Sequence, residues 1–310
     1  IDTSDVHTLM IAAAGTGKTT FFLEPNIEYC CAAGMSFIST DTKGDIYRNC
    51  GYVAAKRYGY KISVIDLRNP LKSDGFNLLH LVKKYMDEHK NNPLNISAKA
   101  KSERYAKIVA DSIIAADGDK YGANTYFYDA AKGLIAALIL IIAEYGNDKE
   151  CHIVSVLKLM IELLEAKPQK KSQLKSETYF ADLIKLLPPE HKARWLSGAA
   201  INNADQAALS VISTALSRLN SLIDTETEQI LCFNTAIDTE TLCKEKCAVF
   251  IVLPEEDRTK YVIANLIIEQ ISREIYHIAD ENGGHLDKRI MIYFLSLIHI
   301  SEPTRHSLIS

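Results

Sequence analysis

The sequence predicts an α/β fold with a mainly parallel sheet, interrupted in the chain by an inserted all-helical domain. Three observations carry this expectation. Short apolar, strand-like runs alternate with helical stretches over the first third of the 310 residues. Between Leu78 and Asp224 only helical periodicity is found, and strand–helix–strand alternation returns from Cys247 onward. Strands separated by helices of this length pair in parallel, with the helices lying on the sheet faces.

The elements follow in order. Thr8–Ala12 (TLMIA) reads as a short strand running into a glycine-rich segment, and Lys18–Cys31 as a helix interrupted at Pro25. Met35–Thr40 is a strand, Asp45–Tyr58 a helix and Lys61–Leu67 a strand. Helices are then expected at Lys99–Ala116, Thr125–Tyr145, His152–Ala166, Ser176–Leu187 and Asp205–Leu222, with Asn, Gly and Pro clusters between segments. Strand Cys247–Leu253, helix Arg258–Ala279 and strand Lys288–Leu295 close the alternation. The last helix carries Ile263, Leu266, Ile267, Gln270, Ile271 and Ile275 as a mostly apolar stripe. The division is therefore 1–77 and 225–295 for the α/β domain, 78–224 for the helical insertion, and 296–310 for a tail of unlike character.

With 47% hydrophobic residues the chain can bury two cores. Its longest apolar run, Gly133–Ala143, is bounded by Lys132 and Glu144 and covers about half the ~20 residues a bilayer needs, so a buried helix is expected. No signal peptide is visible. The chain begins at Ile1 rather than Met and meets its first strand almost at once, as a piece of a longer protein would. Its 35 basic and 39 acidic residues nearly balance, so any nucleic-acid contact must be local rather than driven by net charge. Among seven cysteines, Cys30 and Cys31 are adjacent, Cys243 and Cys247 lie four apart, and Cys50, Cys151 and Cys232 stand alone. Without a CxxC pair they read as reduced thiols of a cytoplasmic protein, not as a disulfide or zinc framework.

Residues Ala12 to Thr19 (AAAGTGKT) fit the phosphate-loop pattern, with Ala12 where a first glycine is usual. Gly15 and Gly17 let the backbone curl its N–H groups around phosphate oxygens. Lys18 would reach the β- and γ-phosphates, the Thr19 hydroxyl would ligate Mg²⁺, and the helix starting there adds its positive dipole end. The candidate ATP-binding residues are Ala14, Gly15, Thr16, Gly17, Lys18, Thr19 and Thr20. A strand before and a helix after the loop argue against an accidental Lys-Thr in a glycine turn.

The segment Asp41-Thr42-Lys43-Gly44-Asp45 matches both a DxxG and a guanine-reading pattern, yet the same five residues cannot occupy both places, and no second such tetrad occurs. Two roles stay open. Asp41 ends a strand while Thr42 or Asp45 caps the next helix, or Asp41 acts in the nucleotide site as the one candidate catalytic acid.

Several segments together resemble the TraG/TraD-type coupling ATPases of conjugation and type IV secretion: GTGKTTFFLEPNI from Gly15, STDTKGDIYRN from Ser39, DLRNPLKSDGFNLL from Asp66, FYDAAKGLIAAL from Phe127 and VFIVLPEEDRTKYVIANLIIEQ from Val249. The likeness runs from about residue 7 to residue 295. It implies a RecA-like P-loop NTPase domain with an inserted helical domain. It further implies a hexameric ATP- and Mg²⁺-dependent motor, anchored by membrane helices preceding the loop, at the cytoplasmic face of the membrane. Such motors pass DNA with its bound relaxase, or effector proteins, to secretion-channel components. The resemblance also places an Asp-Glu pair directly after the last strand, to hold the Mg²⁺ water shell and polarise the attacking water. Ser296 and Leu297 stand there instead, and the run LSLIHISEPTRHSLIS fits no element of the family and reads as translated adapter DNA. A polar sensor and a trans-acting arginine are also lacking, so the chain is expected to bind nucleotide without useful hydrolysis.

Basic residues recur at helical spacing at Lys99, Lys101, Arg104 and Lys107, and Lys167, Lys170, Lys171 and Lys175 form a second basic cluster in a loop. Either group fits a DNA or protein contact, or a solvated face. His191, Arg194 and Trp195 near Pro188-Pro189 read as packing, and Glu255-Glu256-Asp257 as a helix start favoured by the dipole or as a subunit contact. The functional alternatives are a different RecA-like DNA translocase, or a nucleotide-gated docking module that does not hydrolyse.

Overall fold

A computed structural model describes residues 7–11, 13, 15–115, 125–164, 179–198, 205–254 and 258–294. Four strands, β1 (Ser36–Asp41), β2 (Lys61–Asp66), β3 (Cys247–Val252) and β4 (Ile290–Tyr293), form one sheet in the order β2-β3-β1-β4. Every pairing is parallel, with Phe37 opposite both Ala248 and Met291, and Ile65 opposite Ile251. The two halves of the chain thus interleave, since β3 lies between β2 and β1. β1 and β3 are buried along their whole length, as central parallel strands covered on both faces should be.

The two-residue period of the strands sorts side chains onto opposite faces. Phe37, Ala248 and Phe250, joined by Met291 and Tyr293, pack with Leu23, Ile27, Cys30, Cys31, Ile46, Ala54 and Tyr60. This layer belongs to α1 (Glu24–Ala33) and α2 (Tyr52–Tyr58). Phe37 centres it, its ring 5.5 Å from Phe250 and 6.0 Å from Tyr60. On the other face, Ile38, Ile65, Val249 and Ile251 join a much larger core. It contains the helices α3 (His80–Asn91), α4 (Ile96–Ala115), α5 (Thr125–Tyr145), α6 (Ile153–Leu164), α7 (Tyr179–Leu186), α8 (Lys192–Leu196), α9 (Asp205–Asn220), α10 (Thr225–Leu231), α11 (Thr239–Lys244) and α12 (Arg258–Glu281). The two expected cores exist, but the sheet divides them, not the boundary of the insertion.

Helix α5 has the length and apolarity to cross a membrane, yet residues from Ala130 to Ala143 are almost all buried among its neighbours. It packs against α4, α8 and α9 as a core helix. Gly133 makes the contact with α8 possible, because a Cβ there would stand 2.5 Å from the Leu196 carbonyl oxygen.

Four expectations need correction. Residues 8–11 form no strand, and Leu9 and Ile11 are exposed, since a strand needs a pairing partner and none of the described residues supplies one; Ala12 lies outside the described residues. Pro25 does not interrupt its helix. A wide π-turn, Lys18–Leu23, precedes it, and Asn26 Nδ2 donates to the Phe22 carbonyl at 2.6 Å. Helix α3, with Leu81, Val82, Tyr85 and Met86 buried, was not foreseen. Nor were the short α10 and α11, begun by the side chains of Asp224 and Asp238, which accept from Thr227 N and Thr241 N. The tail 296–310 lies outside the described residues.

Candidate functional site

The turn Lys18–Leu23 and α1 together span sixteen residues, about 24 Å at helical rise, and end at Gly34 just before β1 begins. A helix that feeds a parallel strand runs back along it, so Lys18 stands at the carboxyl edge of the sheet, where open α/β sheets bind ligands. Two contacts fix this placement. Asn49 Nδ2 donates to Glu24 Oε1 at 2.7 Å, and the Tyr293 hydroxyl donates to the Asn26 carbonyl at 3.2 Å.

In the loop, Gly15 and Gly17 take φ of 77° and 81°, left-handed values that L residues adopt only with strain. The Thr16 hydroxyl and the Lys18 ammonium both donate to the Ala13 carbonyl, each at 2.8 Å. This folds the loop over itself and holds Lys18 against it. Gly17 is the N-cap, its carbonyl accepting from Phe21 N at 2.8 Å, with Thr19 and Thr20 in the first turn. N–H groups in a first turn have no partner within their own helix and carry partial positive charge. The loop, ammonium and hydroxyl fit a polyphosphate and one coordination position of Mg²⁺. Ala14 lies outside the described residues.

Asp41, fully buried at the end of β1, is engaged by the turn that follows. Its Oδ1 accepts from Lys43 N at 3.1 Å and Gly44 N at 2.7 Å, and its Oδ2 from Tyr47 N at 3.1 Å. It is Asp41, rather than Thr42 or Asp45, that satisfies the backbone at the start of the next helix. Asp66 does the same at the end of β2, accepting from Arg68 N and Asn69 N. Arg48 and Arg68 close over the turn. Arg68 Nη1 donates to the Lys43 carbonyl at 3.0 Å, and Arg48 Nε to the Gly44 carbonyl at 3.1 Å while pairing with Asp45. These two arginines were not singled out from the sequence. Among the described residues no three His, Cys, Asp or Glu side chains converge to hold a metal.

The remaining candidates separate. Lys101 pairs with Glu281 at 2.8 Å and Arg104 Nη1 meets His277 Nδ1 at 2.8 Å, so half of the α4 basic row ties α4 to α12. Lys107 stays exposed. His191 caps α8 through Ala193 N and meets Glu144 at 2.7 Å, which holds the Glu144 carboxyl below its ordinary range against the opposing effect of burial. Trp195 donates to the Pro189 carbonyl at 2.8 Å, with Lys192 3.8 Å above its ring. Its polar edge and one face are thus engaged. Residues 165–178, 255–257 and 295–297, with the second basic cluster, the acidic triplet and Ser296-Leu297, lie outside the described residues.

No curated protein matches the chain. The family model described as type IV secretory system conjugative DNA transfer matches residues 2–295, almost the whole of it. The all-parallel sheet with helices on both faces is the α/β RecA-like arrangement that the resemblance implied. The chain belongs to the TraG/TraD-type family of type IV secretory system conjugative DNA transfer proteins.

Proposed function

We propose that the chain binds Mg·ATP through Gly15–Thr20 and serves as the nucleotide-operated part of a transfer motor at the cytoplasmic face of the cell membrane. The observation that carries this reading is the loop itself: two left-handed glycines, then Lys18 and Thr19 opening a helix at the carboxyl edge of a parallel sheet. ATP, when bound, supplies the phosphoanhydride whose cleavage drives movement. The chain's own residues hold it. Lys18 would leave the Ala13 carbonyl for the terminal phosphates, first-turn N–H groups would bind phosphate oxygens, and the Thr19 hydroxyl would help hold the metal. The partners are DNA with its relaxase or secreted effector proteins, the channel components that receive them, and further copies of the chain in a hexamer.

A second reading has a specific observation behind it. Asp41, the one strand-end acid considered for catalysis, spends both carboxylate oxygens on backbone amides of its own turn, which favours a structural role for it. Such a chain binds nucleotide and uses it to set the shape of a docking surface. Calorimetry with Mg·ATP on the wild type and Lys18→Ala tests the common ground: affinity should fall tenfold to a hundredfold or more, from about 1.5–3 kcal/mol per charge-assisted bond. Equal affinity refutes the site. Turnover with and without single-stranded DNA separates the readings, since turnover near one per second that Lys18→Ala abolishes excludes the docking module.

A further inference from the structure

Away from the loop, the chain buries a carboxylate that the nucleotide site does not use. Glu274 on α12 is 2% exposed. It lies where α12 meets the entry to the helical insertion, beside a small cavity lined by Asn77, His80, Asp238, Thr239 and Gln270. Its two oxygens have only neutral donors. The Thr239 hydroxyl at the start of α11 donates to Oε2, and Gln270 Nε2 donates to Oε1 at 2.9 Å. The same Gln270 nitrogen donates to the Leu78 carbonyl at 3.0 Å, which ties α12 to the segment leading into α3. Lying between two acceptors, it can only be the amide nitrogen. Gln270 Oε1, buried beside it, has no partner among the described residues.

The surrounding charges do not neutralise Glu274. From α3 come His80 and Lys84, but His80 Nε2 lies 3.4 Å and Lys84 Nζ 3.5 Å from Asp238, and Lys84 also meets Glu240 at 2.6 Å. Burial alone would raise the Asp238 carboxyl. The bonds from His80 and Thr241, with Lys84 nearby, hold it well below the ordinary range, so it stays ionised and repels a second negative charge. Tyr105 from α4 and Cys243 from α11 face the site as further acidic groups, neither supplying positive charge. Burial, with Asp238 adding to it, pushes Glu274 up to about 7, against the pull of Thr239, Gln270 and His80.

We propose that Glu274 is a proton-operated clasp between α12, α11 and the root of the helical insertion, closed when its carboxyl is protonated and loosened when it ionises. In the protonated form the acid O–H donates back to the Thr239 oxygen, reversing that bond, and no uncompensated charge remains in the joint. In the ionised form a negative charge sits beside Asp238 with neutral donors alone, so the clasp opens more readily. The sign follows from linkage. A folded value raised above the unfolded one gives stability that is complete below the ordinary carboxylate range and lost as pH rises through about 7.

The test compares the full chain with Glu274→Gln, a neutral isostere of the protonated acid, by amide hydrogen exchange between pH 4 and 8.5. Wild-type protection at residues 78–82 and 239–244, relative to the variant, should match it at pH 4, below the ordinary carboxylate range. By pH 8.5 it should fall on the order of tenfold or more below. Carbon NMR of the Glu274 carboxyl should show titration between pH 6 and 8. Identical profiles in both proteins, or a carboxyl that titrates below pH 5, overturn the clasp. If Glu274→Gln does not fold, the carboxyl titration in the wild type still decides.

Discussion

Replacing Asp41 separates its two candidate roles. The wild-type carboxylate is fully buried and accepts three backbone N–H bonds at 2.7–3.1 Å. Asp41→Ala strips all three, while the turn is partly open, so water re-enters to meet some of the donors. With about 1.5–3 kcal/mol for each bond to a charged group, and incomplete loss, the net cost should be about 3–5 kcal/mol. Asp41→Asn keeps one acceptor oxygen and turns an NH₂ toward a donor, so about 2–3 kcal/mol is expected. Urea unfolding followed by far-UV circular dichroism measures both. Mg·ATP affinity of the folded Asn variant should stay within tenfold of wild type. Unchanged stability of Asp41→Asn, together with turnover lost by a hundredfold or more, would show that the carboxylate serves the reaction and not the turn.

Two further outcomes are expected. Gly133→Ala should destabilise the chain by about 1–3 kcal/mol in the same urea assay, because its Cβ would press on the Leu196 carbonyl of α8; an unchanged midpoint would show that α8 shifts freely. Glu144, held below its ordinary range by His191, stabilises the fold above about pH 4.3, and that contribution is lost as pH falls through the folded value. His191→Ala should therefore weaken the fold at pH 7 by about 1–2 kcal/mol and shrink the loss on acidification to pH 3.5, read as melting temperature against pH.

Much of this was readable along the chain where information is local. The three interior-facing runs around Phe37, Ile65 and Phe250 announced strands through their apolar residues, and Gly15 and Gly17 announced the loop, because positive φ belongs to glycine. Thr8–Ala12 looked like a strand for the same reason, but pairing depends on which partner is brought alongside, and five residues cannot reveal that. The short helices α10 and α11 had a signal in Asp224-x-x-Thr227 and Asp238-x-x-Thr241, which the two capping carboxylates use. Asp41 could not be assigned from its neighbours, since capping and catalysis both favour an acid at a strand end. Glu274 offered no local signal beyond Gln270 standing four residues earlier in an apolar stripe; its burial comes from α11 and the segment before α3, far away in the chain.

The sheet also sets how stiffness is distributed through the molecule. Among the described residues, the layer carrying the loop rests on a small buried cluster around Phe37, whereas the opposite face is continuous with the core of helices α3 to α12. Opening free energy tracks buried contact, so local opening should cost less in the loop layer than in the helical core. The central strands β1 and β3 are shared by both. A change at the loop would therefore pass to the helical core through β1 and β3, the strands that both layers share.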